Sequence, residues 1–235
     1  QVMNMMNQFR ANPAGTLRYL AVGWAGLPSQ CGPFFQDSVL FQAADLRLYA
    51  DNMQFLSQSG DLGYLGSNLS EVSAMEFLPK AGDDYQVLLA FFALAKQEML
   101  LNQGTQLMLN PGLNEAGVAF NRIEGKDGDY IKLSVAGGNS LEPEKEGVSK
   151  VYGLIYSDPD LNRFYTPGEG VDGCLVGFFN KHTQERVAIT RTNAVGQYQL
   201  ELPSGAEYIV ITGTPASWAA REIFLGNEDL YIDLI

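Results

Sequence analysis

Residues 158–169 read Asp158, Pro159, Asp160, Leu161, Asn162, Arg163, Phe164, Tyr165, Thr166, Pro167, Gly168, Glu169. Acid or amide side chains stand at the first, third and fifth positions and a glutamate at the twelfth. Short oxygen-bearing side chains at alternate positions of a tight loop converge on one point. A hard cation such as calcium needs about six to eight oxygens around it. In this spacing Asp158, Asp160 and Asn162 supply side-chain oxygens, Phe164 a backbone carbonyl, and Glu169 both oxygens of a longer carboxylate. The expectation is a structural calcium site of modest, extracellular-type affinity. One position departs from the pattern. The sixth is normally glycine because the turn is sharp, and here it is Arg163, so the turn must be made another way. The alternative reading is an acidic surface loop with no metal.

Other chemistry finds less support. The single histidine, His182, lies in a turn-like stretch, Asn180 to Gln184, and is expected to be an exposed turn residue rather than a catalytic base. A Ser-His-Asp or Cys-His arrangement would have to use it, with Cys174 near in sequence, but neighbouring positions do not by themselves make a cleft. No glycine loop of the P-loop or Rossmann type is present. Glu71, Glu76 and Glu98 are the acids nearest a possible N-terminal cleft, and each is expected to be a solvated helix or loop charge. Two cysteines, Cys31 and Cys174, exclude a disulfide-dense scaffold and a four-cysteine zinc site. They leave open either one bridge tying the two halves of the chain or two separate buried thiols.

The elements that must position these residues fall into two regimes. Up to about residue 140 the chain reads as helices followed by paired strands, an α+β layer fold. Val2 to Phe9 has helix spacing, and Asn12-Pro13 punctuates it. Ser38 is a candidate N-cap for a helix whose face carries Leu46, Tyr49, Ala50, Met53 and Leu56. Ser59 to Ser70 reads as a glycine-rich loop. Asp83 or Asp84 caps a further helix to about Leu101, and its apolar run Val87 to Ala95 is too short to cross a membrane, so it is expected to be core. Phe34, Phe35, Phe91, Phe92 and Trp24 are expected to be core as well. Gly117 to Asn121 and Tyr130 to Val135 read as a hairpin. Residues 140–150 are rich in Gly, Ser, Glu and Lys and read as a linker. From Val151 to Ile235, seven short alternating strands separated by turn signals predict a β-sandwich.

Composition bounds the function. Hydrophobic residues are 46% and charged residues 18% of the chain, enough to form packed cores. The net charge of -12 disfavours nucleic acid and anionic membrane as partners and is compatible with cations. No transmembrane segment is expected, and an exported chain looks like this once its leader has been removed.

The run Gly153 to Gly170, with Gly196 to Gly205 and Tyr208 to Ile211, resembles bacterial Sdr-type and Cna-type B modules, which are prealbumin-like sandwiches of secreted and cell-surface proteins. The resemblance spans residues 151–235 and implies a spacer or structural role, often stiffened by calcium. Residues 1–139 resemble the bacterial branch of the CAP (SCP-like) superfamily. That likeness rests on Asn7 to Pro13, on Ala43-Ala44 through Met53, on Gly66 to Ser70 in place of a Gly-Glu-Asn motif, and on Leu109-Asn110-Pro111 to Ala119. It implies a CAP-like αβα sandwich before the all-β prealbumin-like one. The cleft positions at which that family carries metal-binding His and Glu are here Tyr49, Gln58, Ser67 and Thr105. A phenol, an amide and two hydroxyls do not replace imidazole as a zinc ligand or a base near neutral pH, so the CAP-like domain is expected to be degenerate.

The sequence therefore predicts a secreted, non-catalytic binding protein of the cell surface or exterior, with a partner that is another surface, a peptide or a small apolar ligand. The alternatives are a hydrolase using another site in the CAP-like cleft and a structural piece of an envelope or adhesion protein.

Overall fold

The computed structural model describes residues 1–20, 30–49, 62–102, 107–141, 145–214 and 217–234. Gln58, Thr105 and Trp24 lie outside the described residues. The chain divides into two compact units, Gln1–Glu142 and Pro143–Ile235.

In the first unit, helix α1 (Val2–Ala11) ends at Asn12, whose side chain then caps α2 (Pro13–Tyr19) by accepting from Gly15 N at 3.0 Å. Proline at the first helical position loses no hydrogen bond, so the Asn-Pro pair stops one helix and starts the next. A short strand β1 (Phe35–Gln36) leads into α3 (Ser38–Tyr49). The cap of α3 is Asp37, not Ser38: one Asp37 carboxylate oxygen accepts from Val39 N and Leu40 N, both at 2.8 Å. A carboxylate is the better cap because it also meets the positive end of the helix dipole. The buried face of α3 is Leu40, Ala43, Ala44 and Leu48. Leu46 and Tyr49 are 48% and 69% exposed, which corrects the face expected from spacing. Small alanines allow the close approach to the sheet that Leu46 and Tyr49 would prevent.

Strand β2 (Gly66–Leu78) overlaps the stretch read as loop. Helix α4 (Asp83–Asn102) follows, with Asp83 and Asp84 in its first turn and Leu88, Ala90, Phe91, Leu94 and Ala95 in the core. No described helix is long and apolar enough to cross a membrane. β3 (Glu115–Glu124) and β4 (Asp129–Ser140) form the expected hairpin, extended at both ends. The sheet order is β1-β3-β4-β2. Helix α3 packs over Ala119 and Ala136 on one face. The cross-strand partners Val118 and Val135 belong to the opposite face, beside α1 and α4.

The second unit is a sandwich. Strand β5 (Val148–Ile155) begins inside the segment read as linker. It is followed by β6 (Leu175–Asn180), β7 (Arg186–Arg191), β8 (Gln197–Pro203), β9 (Ala206–Thr214), β10 (Ser217–Leu225) and β11 (Leu230–Leu234). One sheet has the order β10-β9-β6-β7 and the other β11-β5-β8. Alternate residues point inward, so Val151, Val176, Phe178, Tyr198, Val210 and Ile232 meet in one core. Tyr208 ties its ring to the turn before it by donating its hydroxyl to Pro203 O at 2.7 Å. Neither Cys31 nor Cys174 forms a disulfide, and both are buried thiols, the first donating to Leu109 O at 3.3 Å and the second beside Thr212 Oγ1 at 3.3 Å.

Candidate metal centre

The loop of residues 158–169 hangs from a closed neck. Strand β5 ends at Ile155, the next residue Tyr156 bridges Gly170, and Ser157 N donates to Glu169 O at 3.0 Å. The two ends of the loop are thereby held side by side, which brings its first and last acids together. Inside the loop the acids organise the backbone. Asp158 accepts from Asn162 N on one oxygen and from Arg163 N on the other, each at 3.0 Å. Asn162 Oδ1 accepts from Phe164 N at 2.6 Å, its Nδ2 donates to Asp160 Oδ2 at 2.8 Å, and Glu169 Oε2 accepts from Thr166 N at 2.7 Å. Phe164 and Tyr165 are 3% and 0% exposed and anchor the outer arm, with the Tyr165 ring edge-on to Tyr156 at 5.9 Å between centroids.

The sharp turn is made without glycine. Leu161 has φ 57° and Arg163 has φ 58°, so arginine adopts the left-handed conformation that a glycine would take at the sixth position. That conformation costs a residue with a Cβ about 1 kcal/mol. The two carboxylate–backbone bonds of Asp158 span this turn and hold it. Gly168, at φ 97°, then reverses the chain so that Glu169 returns toward Asp158.

Asp158, Asp160 and Glu169 each offer a carboxylate oxygen, and the three oxygens lie within 4.8 Å of one another. Two oxygens bound to one calcium at ~2.4 Å can be no more than about 5 Å apart, so this spacing fits a shared ion. The donors are all hard oxygens, which suits calcium or magnesium and not a soft metal. Asn162 and Phe164 lie between these acids in the same loop. Among the described residues this is the group of three or more acidic, His or Cys side chains with such spacing.

The remaining candidate residues are dispersed. Tyr49 ends α3 and is 69% exposed, while Ser67 sits in β2 opposite Asn139. His182 is an exposed turn residue, 3.1 Å from Glu207. Two of the acids expected to be solvated are not. Glu71 is enclosed and pairs with Arg47 at 2.6 Å, with its side chain only 7% exposed. Glu98 is 2% exposed and accepts from Leu107 N at 2.5 Å and Met108 N at 2.8 Å. Burial raises its carboxyl pKa to about 7, against the lowering effect of those two N–H groups and of Arg10. Their helix and strand periodicities give no sign of this, because each partner comes from a distant part of the chain.

Sequence spacing also missed the polar interior of the first unit. Arg10, 1% exposed, donates to the carbonyls of Gly32, Met108, Asn110 and Leu113 at 2.5, 3.1, 3.1 and 2.8 Å, and its guanidinium lies 3.8 Å from the centroid of Phe34. Burial pulls its pKa down to about 10, which leaves it charged at neutral pH. Asn7 pairs with the Phe34 backbone in both directions, at 2.6 and 2.9 Å. The signal available was polar Asn7 and Arg10 three residues apart, each directly after an apolar residue, Met6 and Phe9.

No family model and no curated protein matches the sequence. Solved structures similar to the chain include the Bacillus anthracis TIE protein, at 12% identity and TM-score 0.28 over 50% of this chain and 24% of that one. A group B streptococcus pilus 2b backbone protein is similar at 9% identity and TM-score 0.28, over 49% of this chain and 68% of that one. S.CueP is similar at 12% identity and TM-score 0.30, over 64% of this chain and 97% of that one. Likeness at these TM-scores bears on neither fold nor function.

Proposed function

We propose that this chain is a non-catalytic surface-interaction protein of the cell exterior whose second unit is a β-sandwich stabilised by calcium at Asp158, Asp160, Asn162, the Phe164 carbonyl and Glu169. The observation that carries the metal reading is the convergence of three carboxylates from a single loop with a closed neck. Gathering three like charges is unfavourable without a cation, and a bound dication would reverse that cost and tie the 158–169 loop to both β5 and the Gly170 neck. The ion would be structural: Asp158 and Glu169 hold the loop ends, and Asp160 and Asn162 fill the turn. The exported location and the degenerate CAP-like reading of the first unit rest on the sequence resemblances. The non-catalytic reading rests on the exposed turn position of His182 and on the replacement of the CAP metal ligands by Tyr49, Gln58, Ser67 and Thr105.

Calcium titration by calorimetry, with thermal melts in calcium and in chelator, tests the metal reading. Saturable binding is expected, with a stabilisation of about 2.7 kcal/mol when calcium is a hundredfold above its dissociation constant. The Asp160→Ala, Glu169→Ala double variant is expected to lose both the heat and the shift. Neither heat nor shift for the natural chain at millimolar calcium would remove the site.

A further inference from the structure

In the first unit, strand β3 is paired along its whole length on one side only. β4 pairs with Glu115–Glu124, whereas β1 meets only Glu115 and Ala116 before it ends. The cause is local. Asp37 N donates to Ala116 O at 3.1 Å, and the Asp37 carboxylate then caps α3, so the chain leaves the strand edge and turns onto the face of the sheet. Backbone groups of a strand alternate between its two edges. Because Ala116 O points toward β1, the N–H and C=O groups of Val118 and Phe120 point the same way, and among the described residues no group meets them. Sheets blunt an open edge with a charge, a proline or a bulge. The stretch from Gly117 to Asn121 has none of these, and the charge at Arg122 is drawn to Asp83 and Glu124. Beside this edge lies a cavity of about 350 Å³ lined by Val2 and Met3 of α1, Gln36, Val87 of α4, and Val118 and Phe120 of β3. That is the small end of the range for ligand pockets, room for one large side chain.

We propose that this edge takes an extended peptide segment of a partner protein as an added strand, with one apolar side chain seated in the cavity. Two features select that occupant. A row of alternating N–H and C=O groups is met in full by another extended backbone, whereas a small apolar ligand would fill the cavity and leave the row unmet. A second copy of the chain is opposed by its own charge, -12 on each copy, and the same charge favours a peptide with basic flanks. The ladder is short. It starts past Ala116, whose carbonyl already accepts from Asp37 N, and it stops where the Arg122 side chain turns to Asp83 of α4. About six peptide residues engage over that length, and every second side chain of the peptide faces α4 and the cavity. A shift by one residue would turn the apolar side chain away from the cavity, so the cavity also sets the register.

The probe is an N-acetylated, C-amidated heptapeptide with lysine at each end and valine and threonine alternating between them. It is titrated into the full chain and followed by amide hydrogen exchange in two-dimensional NMR. In the protein alone the amides of Val118 and Phe120 are expected to exchange fast, and those of Ala119 and Asn121, which face β4, slowly. Saturable binding below about 1 mM is expected to slow the two edge amides at least tenfold. Two further peptides are methylated at alternate backbone nitrogens, one in each phase. The one methylated on its outer side is expected to bind as before, and the one methylated toward β3 at least about tenfold more weakly. Val87→Phe, which fills the cavity from α4, is expected to abolish binding with an unchanged circular dichroism spectrum and melt. Edge amides already slow in the protein alone would overturn the proposal by placing another part of the chain on the edge. Slowing that grows with protein concentration, without peptide, would overturn it in favour of a second copy. A probe that does not bind at about 1 mM, or that binds equally with both methylation patterns, would overturn it as well.

Discussion

Glu98 is a single side chain through which stability depends on pH. Its carboxyl sits among apolar groups of α4 with Arg10 as the charge facing it from α1, and it holds the backbone of Leu107 and Met108. Its pKa moves up from 4.5 to about 7. The folded state therefore binds the proton more tightly than the unfolded chain does. The sign follows: this group's contribution is fully present below about pH 4.5, declines as pH rises to about 7, and stays lost above that. A shift of this size corresponds to roughly 3 kcal/mol. Glu98→Gln keeps an oxygen for the two N–H groups and removes the titration. Urea unfolding between pH 5 and 8 is expected to show a more stable protein at pH 5 and a flatter profile for the variant. An unchanged profile would show that some other group carries the dependence. Arg10 acts differently, through geometry: five N–H donors in a planar fork reach four carbonyls from two segments, a task that lysine cannot perform.

At the scale of elements, the contact between α3 and β3 is decided by what is absent. A Cβ at Gly117 would collide with the backbone of Leu40 and Phe41, so the helix lies on the strand only because position 117 has no side chain. Ala43 and Ala44 continue that close approach along the helix. Gly117→Ala is expected to destabilise by about 2–3 kcal/mol through overpacking, read as a lower urea midpoint at unchanged slope. A midpoint within error of the natural chain would mean that the helix can lift off the sheet at no cost. Lys132 closes the same helix from the other end, donating to the carbonyls of Arg47 and Leu48 at 2.8 Å each. A cation on terminal carbonyls also complements the helix dipole.

At the scale of the whole molecule, the two units hold separate cores and separate sources of environmental sensitivity. Glu98 belongs to Gln1–Glu142 and the carboxylate loop to Pro143–Ile235. Calorimetric melting of the full chain is expected to resolve two transitions. Calcium should move one of them, and Glu98→Gln the other. A single transition moved by both would show that the units unfold as one cooperative body. The acidic balance, -12 over the chain, also makes any association between copies depend on salt, since added salt screens the overall repulsion.

The sequence by itself determined the local features. Alternation of apolar residues marked the seven strands of the second unit closely, because a strand buried on one face must alternate. Asn12-Pro13, the first-turn acids of α4 and the hairpin of β3 and β4 were legible because caps and turns are chemistry between near neighbours. The order of acids in residues 158–169 was legible for the same reason. What only the tertiary structure decided depends on contacts between distant residues. Strand β2 was hidden because its Gly and Ser residues carry turn signals, and its pairing with β4 overrides them. The exposure of Leu46 and Tyr49, the enclosure of Glu71 and Glu98, and the burial of Arg10 depend on partners 9 to 103 residues away, which no local period encodes. The turn at Arg163 belongs to the same class. A left-handed arginine is unfavourable alone, and it forms here because the Asp158 carboxylate and the closed neck of the loop hold it in place.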